Sequence, residues 1–440
     1  MKRLEIYSPA VSSYHVGGNG WRQLSEQAKR RVLLPNLLEL TITPPRFSKG
    51  ENIFMWTRTF LSPSLISIAV EAVTPNYDLP VVPGLVAKSL LGHIEKTCHD
   101  LQRFQFFSET LEDHDASSEC DEFGIADFWE PSFFERLTGL QLRKLGCTTE
   151  LISPEWIHLL GEFPLLKDLD LYATHPDFAD SRPVSLPYLE HFGIHSTICD
   201  EIEKVAKLGF LGGLKSLKIS FRECELLMEG GWEKDVILLI SQKSPGLTKL
   251  YMDFEDDNSW PQISSFRPLG PLPLAEVYLR GSILFQSDLQ LEDLGAIWPN
   301  VTRFEMSEMD EDLELEALRH FTTLPRLQYL ALPVSWSDGI PQSIAPAKPS
   351  CVLQIFEILT DSLYADFDVT LFAQYVLSLW PNLKSVHWPR TDRLGNPTDS
   401  DSNITMKALN NMVASQSTLN RLKSRIIEKC GFDVLDDFLK

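Results

Sequence analysis

The sequence predicts an α/β solenoid, a horseshoe with parallel strands on its concave face and helices on its convex face, and three observations lead there. The chain has 440 residues, too many for one ordinary compact core, so it either divides into globular units or adds core sideways as a repeat array. One spacing recurs from its first residues almost to its last: apolar, two variable, apolar, two variable, apolar, one variable, apolar. Between the copies the apolar spacing becomes helical.

The elements follow in order. A partial copy, Leu4-Ile6, opens the chain, followed by Leu34-Leu37-Leu40-Ile42, a partial Leu65-Ile68-Val70 and Cys98-Leu101-Phe104-Phe106. Next come Phe134-Leu137-Leu140-Leu142, Phe163-Leu166-Leu169-Leu171, Leu186-Leu189-Phe192-Ile194 and Leu211-Leu214-Leu217-Ile219. Ser244-Leu247-Leu250-Met252, Pro271-Leu274-Val277-Leu279, Trp298-Val301-Phe304-Met306, Leu324-Leu327-Leu330-Leu332 and Trp380-Leu383-Val386-Trp388 complete thirteen copies. Counted from one third apolar position to the next, the intervals run from 23 to 36 residues until the last, which is 56. That gap is two ordinary intervals, and the strand-like run Val352–Ile358 inside it predicts a degenerate fourteenth unit. Residues 1–400 therefore read as a solenoid of about 13–14 irregular units. Residues 401–440, with apolar spacing through Leu409, Met412, Val413, Leu419, Leu422, Ile426 and Ile427, read as a C-terminal helical cap.

The closing apolar-x-apolar of each copy alternates as a short strand does, sending two side chains inward and their neighbours outward. Helical stretches fall at 85–94, 202–208, 232–240, 313–321 and 371–379. A doubly wound sheet would also alternate strands with helices. It would not require apolar residues at the same two offsets before every strand. The Trp298 and Trp380 side chains, each before Pro-Asn, fill a core position of the repeat.

This spacing resembles that of the leucine-rich repeat family, which implies strands, turns and helices stacked into a solenoid. The irregular repeats, the Leu-Pro-x-Leu and Trp-Pro-Asn-Leu entries and the acidic charge resemble the repeat region of fungal F-box proteins. That resemblance implies target selection for an SCF-type ubiquitin ligase, with ligase components recruited through an N-terminal F-box. No Leu-Pro-x-Glu-[Ile/Leu] run of an F-box stands near the start, and Met1 lies at most three residues before a strand. The expectation is an F-box-like protein without its F-box, in which the first unit is either left open or preceded by something lost from this chain.

With 61 acidic and 40 basic side chains the formal charge is −21, which disfavours nucleic acid and anionic membrane as partners. No run approaches a membrane span, and the first residues lack a signal peptide's apolar region. Seven cysteines without a C-x-x-C pair fit a reducing compartment, so the expected location is cytoplasmic or nuclear.

No phosphate-binding loop, dinucleotide fingerprint or nucleophile elbow occurs, and no nucleophile is paired with a base. Gly17-Gly18-Asn19-Gly20 reads as a loop. His191 and His195 would lie about 13 Å apart along a strand, too far to share a metal. The expectation is therefore no enzyme, no cofactor and no metal. The partner expected on the concave face is a protein. Its candidate contacts are Arg103, Phe107, Asp170, Tyr172, His195, Tyr251, Tyr278, Arg280 and Arg303. Tyr and Arg weigh most because they anchor interfaces at low entropic cost. Gln105, Asp168, Lys218, Ser220, Lys249, Asp253, Glu276 and Glu305 flank them on the same predicted face. Acidic insertions at 109–122, 253–258, 305–316 and 391–402 all follow strands, which predicts a negative rim.

Overall fold

The computed structural model describes residues 1–7, 19–43, 56–70, 84–105, 137–148, 157–172, 183–197, 199–221, 232–254, 263–281, 294–307, 312–335, 340, 352–359, 369–387 and 409–415. The chain divides into two units, Met1–Ile219 and Ser220–Lys440.

The first unit holds β1 (Arg3–Tyr7), β2 (Glu39–Thr43), β3 (Ser67–Val70), β4 (Arg103–Gln105), β5 (Lys144–Thr148), β6 (Asp168–Tyr172) and β7 (His191–Thr197). Each pairs in parallel with the next, and one apolar residue per strand falls into register: Leu4, Leu40, Ile68, Phe104, Leu145, Leu169 and Phe192. β8 (Ser216–Phe221) carries the chain across the boundary. In the second unit β9 (Lys249–Phe254), β10 (Glu276–Gly281), β11 (Arg303–Ser307), β13 (Tyr329–Leu332), β15 (Ile355–Ile358) and β16 (Ser385–His387) repeat the arrangement. Leu250, Val277, Phe304, Leu330, Phe356 and Val386 are in register there. A separate short pair joins β12 (Leu313–Glu314) to β14 (Val334–Ser335). Sequential parallel strands at this spacing make the fold an α/β leucine-rich repeat solenoid.

Two backbone devices explain why the apolar spacing is conserved from unit to unit. In most units the N–H of the second apolar residue donates to the carbonyl of the first, three residues back, as in Leu37 to Leu34, Leu166 to Phe163 and Leu327 to Leu324. Such a turn favours proline at its second position, where φ is already near −65° and no N–H is needed; Pro35, Pro164, Pro325 and Pro381 stand there. Second, the carbonyl just before most of the strands accepts two N–H groups from the following repeat. Thr248 receives Ala275 and Glu276, and Thr302 receives Gln328 and Tyr329. Those paired bonds fix the register before side chains contribute.

The returning segments are α1 (Asn19–Arg30), α2 (Gly84–Thr97), α3 (Cys199–Lys207), α4 (Trp232–Lys243), α5 (Leu294–Ile297) and α6 (Val369–Leu379). Ile157–Glu162, Ile263–Leu269 and Leu315–Thr323 are 3-10 helices. Their tighter turn spans a short return with fewer residues. The aliphatic ladder is sealed by aromatics: Trp298 lies 5.1 Å from Phe304 and 5.8 Å from Phe266, and Phe356 lies 5.4 Å from Trp380. Trp298 and Trp380 are fully buried, as the repeat position requires.

Two sequence expectations are corrected here, the frame of one copy and the start of α1, and the unit expected in the long gap is present. The copy Phe134-Leu137-Leu140-Leu142 is out of frame: its turn closes from Leu140 to Leu137, and the strand begins only at Lys144. Leu145, not Leu140, pairs with Phe104 and Leu169. A longer link between turn and strand in this unit, rich in leucine, offers several frames with the same apolar spacing. The doubtful unit near Val352 is β15, a full member of the sheet. Asn19 and Gly20, read as loop, open α1, while Gly17 and Gly18 lie outside the described residues.

Of the C-terminal segment, residues 409–415 are described, and they are helical with Leu409 and Val413 buried. The Asn410 amide meets β16 as another strand would: its Oδ1 accepts from the Val386 N–H and its Nδ2 donates to the Val386 carbonyl, both at 2.8 Å.

Candidate functional site

The strands alternate buried and half-buried residues, so the register that aligns the core also aligns the outward side chains. In the second unit one outward row reads Lys249, Glu276, Arg303, Tyr329, Ile355, Ser385. The next reads Tyr251, Tyr278, Glu305, Ala331, Glu357, His387. Parallel strands stand about 4.8 Å apart, so neighbours in a row touch.

A ladder of aromatic rings and cations results. The Tyr251 and Tyr278 rings lie 6.3 Å apart. Lys249 Nζ sits 4.9 Å from the Tyr278 centroid, and the Arg303 guanidinium lies 5.5 Å from Tyr278 and 3.8 Å from Tyr329. Polar contacts hold the ladder in place. The Tyr278 hydroxyl donates to Glu276 at 2.8 Å, Lys249 pairs with Glu276 at 3.1 Å, Arg303 with Glu305 at 3.3 Å, and the Tyr329 hydroxyl donates to Glu357. Each cation–π contact at a half-exposed site contributes about 0.5–1 kcal/mol, enough to preset rotamers and too little to make the fold depend on them.

The electrostatics follow these contacts. Burial and the hydrogen bond to Glu276 push the Tyr278 phenol up to about 12. Burial and Glu357 raise Tyr329 further. Glu305 is also raised, by burial and by the charge of Glu357, against the opposing pull of Arg303. Glu276 goes the other way: burial acts to raise it, but Tyr278 and Lys249 outweigh burial and hold it below the usual range. The face presents neutral phenols among fixed charges at physiological pH.

Arg280 is different. Its guanidinium meets Asp253 at 3.0 Å with side-chain exposures of only 11% and 5%. The sequence expectation of two outward, solvated residues is corrected: they neutralise each other at the C-terminal ends of β9 and β10. Ser220, also expected outward, is buried. Gly281, just beyond, has φ +89°, and a Cβ there would collide with the Phe254 carbonyl, so only glycine suits the position.

The first unit's face carries different chemistry. Arg103 donates to Gln105 on its own strand at 3.0 Å. Lys144 pairs with Asp170 at 3.0 Å, and Gly146 and Gly193 flank Asp170 in register. A Cβ at Gly193 would overlap the Asp170 carboxylate, so the glycine leaves room for that ion pair. Burial pushes the His195 imidazole down to about 4, helped by Lys218 and Lys144 and resisted by Asp170. Nearer the turns, Glu190 bridges Lys167 at 3.0 Å and Lys215 at 2.9 Å, and those two ammonium groups hold its carboxyl at about 2.

Of the nine expected contacts, Tyr251, Tyr278, Arg280 and Arg303 come together on three adjacent strands of the second unit. Arg103, Asp170 and His195 lie on β4, β6 and β7 of the first. Phe107 lies outside the described residues, as does the Tyr172 side chain, although its backbone ends β6. The acidic insertions also fall largely outside them. Sequence reading missed Tyr329, which occupies the same offset as Arg303 and could have been found from it. It missed Lys144 because the frame had slipped, and Glu357 because its unit was degenerate.

The buried thiols offer no reactive group. Burial raises Cys98 to about 12 and Cys147 higher still. Among the described residues no group of three or more His, Cys, Asp or Glu could hold a metal ion, and no helix is long and apolar enough to cross a membrane.

No protein-family model and no curated protein sequence matches the chain. Among solved structures it is similar to an internalin from Listeria monocytogenes, at 14% identity over 69% of this chain and 76% of that one, with a TM-score of 0.28. It is also similar to the mouse RP105/MD-1 complex, at 14% identity over 80% of this chain and 63% of that one, with a TM-score of 0.35. The assignment of the fold rests on the strand registers above.

Proposed function

We propose that this chain is a non-enzymatic protein-binding solenoid whose partner docks on the outward strand face of the second unit, centred on Tyr278, Arg303 and Tyr329. The observation that supports this reading is the guanidinium of Arg303 stacked over Tyr329 and beside Tyr278. Rings and guanidinium are held in one arrangement before any partner arrives, so little side-chain entropy remains to be lost on binding. Tyr251 and Lys249 extend the patch. Arg280 supports it from beneath through Asp253. The first unit's Arg103, Phe107, Asp170, Tyr172 and His195 contribute less in this reading, because Asp170 is committed to Lys144 and His195 is held neutral. Residues 401–440 serve as the terminal cap, a role supported by the strand-like bonds of Asn410.

The test is affinity capture with the wild type and with the triple variant Tyr278→Ala, Arg303→Ala, Tyr329→Ala, checking the fold of each by thermal melting. Loss of the captured protein with an intact melt supports the reading; undiminished capture overturns it.

The finer reading implied by the resemblance is substrate recognition for an SCF-type ubiquitin ligase, as an F-box-like protein of the cytoplasm or nucleus. Its support is the repeat spacing and the acidic charge, and its test is co-purification with the ligase adaptor. A scaffold without ligase link is the competing reading; it predicts stable complexes and no change in partner turnover when the chain is deleted.

A further inference from the structure

We infer that the first unit carries a self-association site at its open sheet edge, where β1 of one copy pairs antiparallel with β1 of a second copy of this chain. β1 stands first in the strand order and bonds to β2. Its backbone is turned so that the Lys2 carbonyl accepts from Leu38 and Glu39. Backbone groups alternate along a strand, so those of Arg3, Glu5 and Tyr7 point to the opposite edge, which no strand occupies among the described residues. None of these residues belongs to the second unit, so the inference goes beyond the proposed function and stands independently of it.

The last strand and the first are finished differently. At β16 the Asn410 amide bonds to the backbone in a strand's place. Among the described residues nothing does the same at β1. Leu4 and Ile6 are half-buried, whereas their register partners Leu40 and Ile42 are wholly buried, so the apolar ladder is covered on one side only. Met1 and Leu24 of the same repeat are 74% and 39% exposed. An unpaired edge with apolar residues beside it is a template for another strand.

Charge selects the occupant. Edges are commonly protected by charges that repel a newcomer, but Arg3 and Glu5 have opposite signs and both face outward, with side-chain exposures of 63% and 58%. They pair with each other at 2.6 Å, and Arg3 also reaches Glu39 at 3.7 Å. Ion pairs this exposed contribute little, so they exchange partners readily. Antiparallel pairing centred on Leu4 sets Arg3 of each copy opposite Glu5 of the other, and Leu4 against Leu4. Arg3 and Glu5 are residues whose backbone groups face the edge, so each opposed pair exchanges both its N–H···O bonds. Centred on Glu5, the pairing would set glutamates against each other; centred on Arg3, arginines. A centre between two residues would set outward side chains against inward ones. One register therefore satisfies backbone, charge and apolar ladder together, and a two-fold axis perpendicular to the sheet generates it from identical copies. That self-complementary order is what commits the edge to a second copy.

The test is sedimentation equilibrium on the full chain over a range of concentrations. A monomer–dimer equilibrium is expected, with a dissociation constant of about 1–100 μM because the contact is small. Glu5→Arg sets arginines opposite each other and Arg3→Glu sets glutamates opposite each other, so each variant alone should dimerise at least tenfold more weakly. Mixed in equal amounts, the two variants restore both opposed pairs and should associate as the wild type does, as should the double variant Arg3→Glu, Glu5→Arg. Both side chains are exposed, so every variant should melt with the wild type. A wild type that stays monomeric up to about 0.3 mM, a dimer undiminished in either single variant, or single variants that fail to associate when mixed would each overturn the assignment.

Discussion

The outward faces of the two units share one backbone register and differ in everything built on it. In the first unit the rows are interrupted by Ala69, Gly146 and Gly193, and Lys144 and Asp170 close on each other. In the second, Tyr251, Tyr278, Arg303 and Tyr329 stand side by side, each ring or cation against the next. Inward positions are dictated by the ladder that stacks the repeats, so both units bury the same kinds of residue there. Outward positions are free of that demand. Where they carry aromatic rings and an arginine in a preset arrangement, the proposed recognition role rests on them.

The largest effect that could break this comparison lies on the inward side. Leu169 is wholly buried on β6, and Leu169→Asp places a carboxylate in the ladder at a cost of several kcal/mol, so neighbouring repeats should unfold together. A melting curve superimposable on the wild type's would contradict the strand assignment.

The next separates two arginines on the same face. Arg280→Ala leaves Asp253 charged and buried and should cost about 3–5 kcal/mol, whereas Arg303→Ala loses only partly exposed stacking and should cost about 1 kcal/mol. Equal destabilisation in denaturant titrations would erase the distinction between a supporting and a contacting residue.

Much of this was legible in the amino-acid sequence, and the reasons for success and failure are physical. Inward residues repeat because parallel stacking demands it, and turn prolines repeat because the turn does, so thirteen of the fourteen sheet strands could be located from spacing, one of them five residues out of frame. Leu137, Leu140, Leu142 and Leu145 allow more than one frame, and only the paired bonds from Arg143 and Lys144 to the Gln102 carbonyl choose between them. The outward rows were legible as rows. That Arg280 turns to Asp253 while Arg303 turns to two tyrosines was not, because both choices depend on residues about 27 positions away in sequence.

Smaller effects sharpen the picture further. Asn410→Ala removes both bonds to the edge strand and should cost about 1–3 kcal/mol, seen as faster hydrogen exchange at the Val386 amide. Exchange unchanged there would argue against a capping role for the segment.

His195 gives the mildest test, through pH. Its imidazole titrates at about 4 in the folded chain against 6.5 in the unfolded one, so the unfolded state binds the extra proton first. Stability is then fully present above about 6.5 and declines as pH falls toward 4. His195→Gln should flatten that decline; an unaltered pH profile would show that the ring is solvated.

The central claim is that recognition belongs to the second unit's face. The most direct measurement compares affinities for the captured partner, purified, across two matched triple variants. One is Tyr278→Ala, Arg303→Ala, Tyr329→Ala; the other is Arg103→Ala, Lys144→Ala, Asp170→Ala on the first unit. A loss of at least a hundredfold, about 2.7 kcal/mol, for the former and a change within threefold for the latter is the expected result, and the reverse ranking would contradict it.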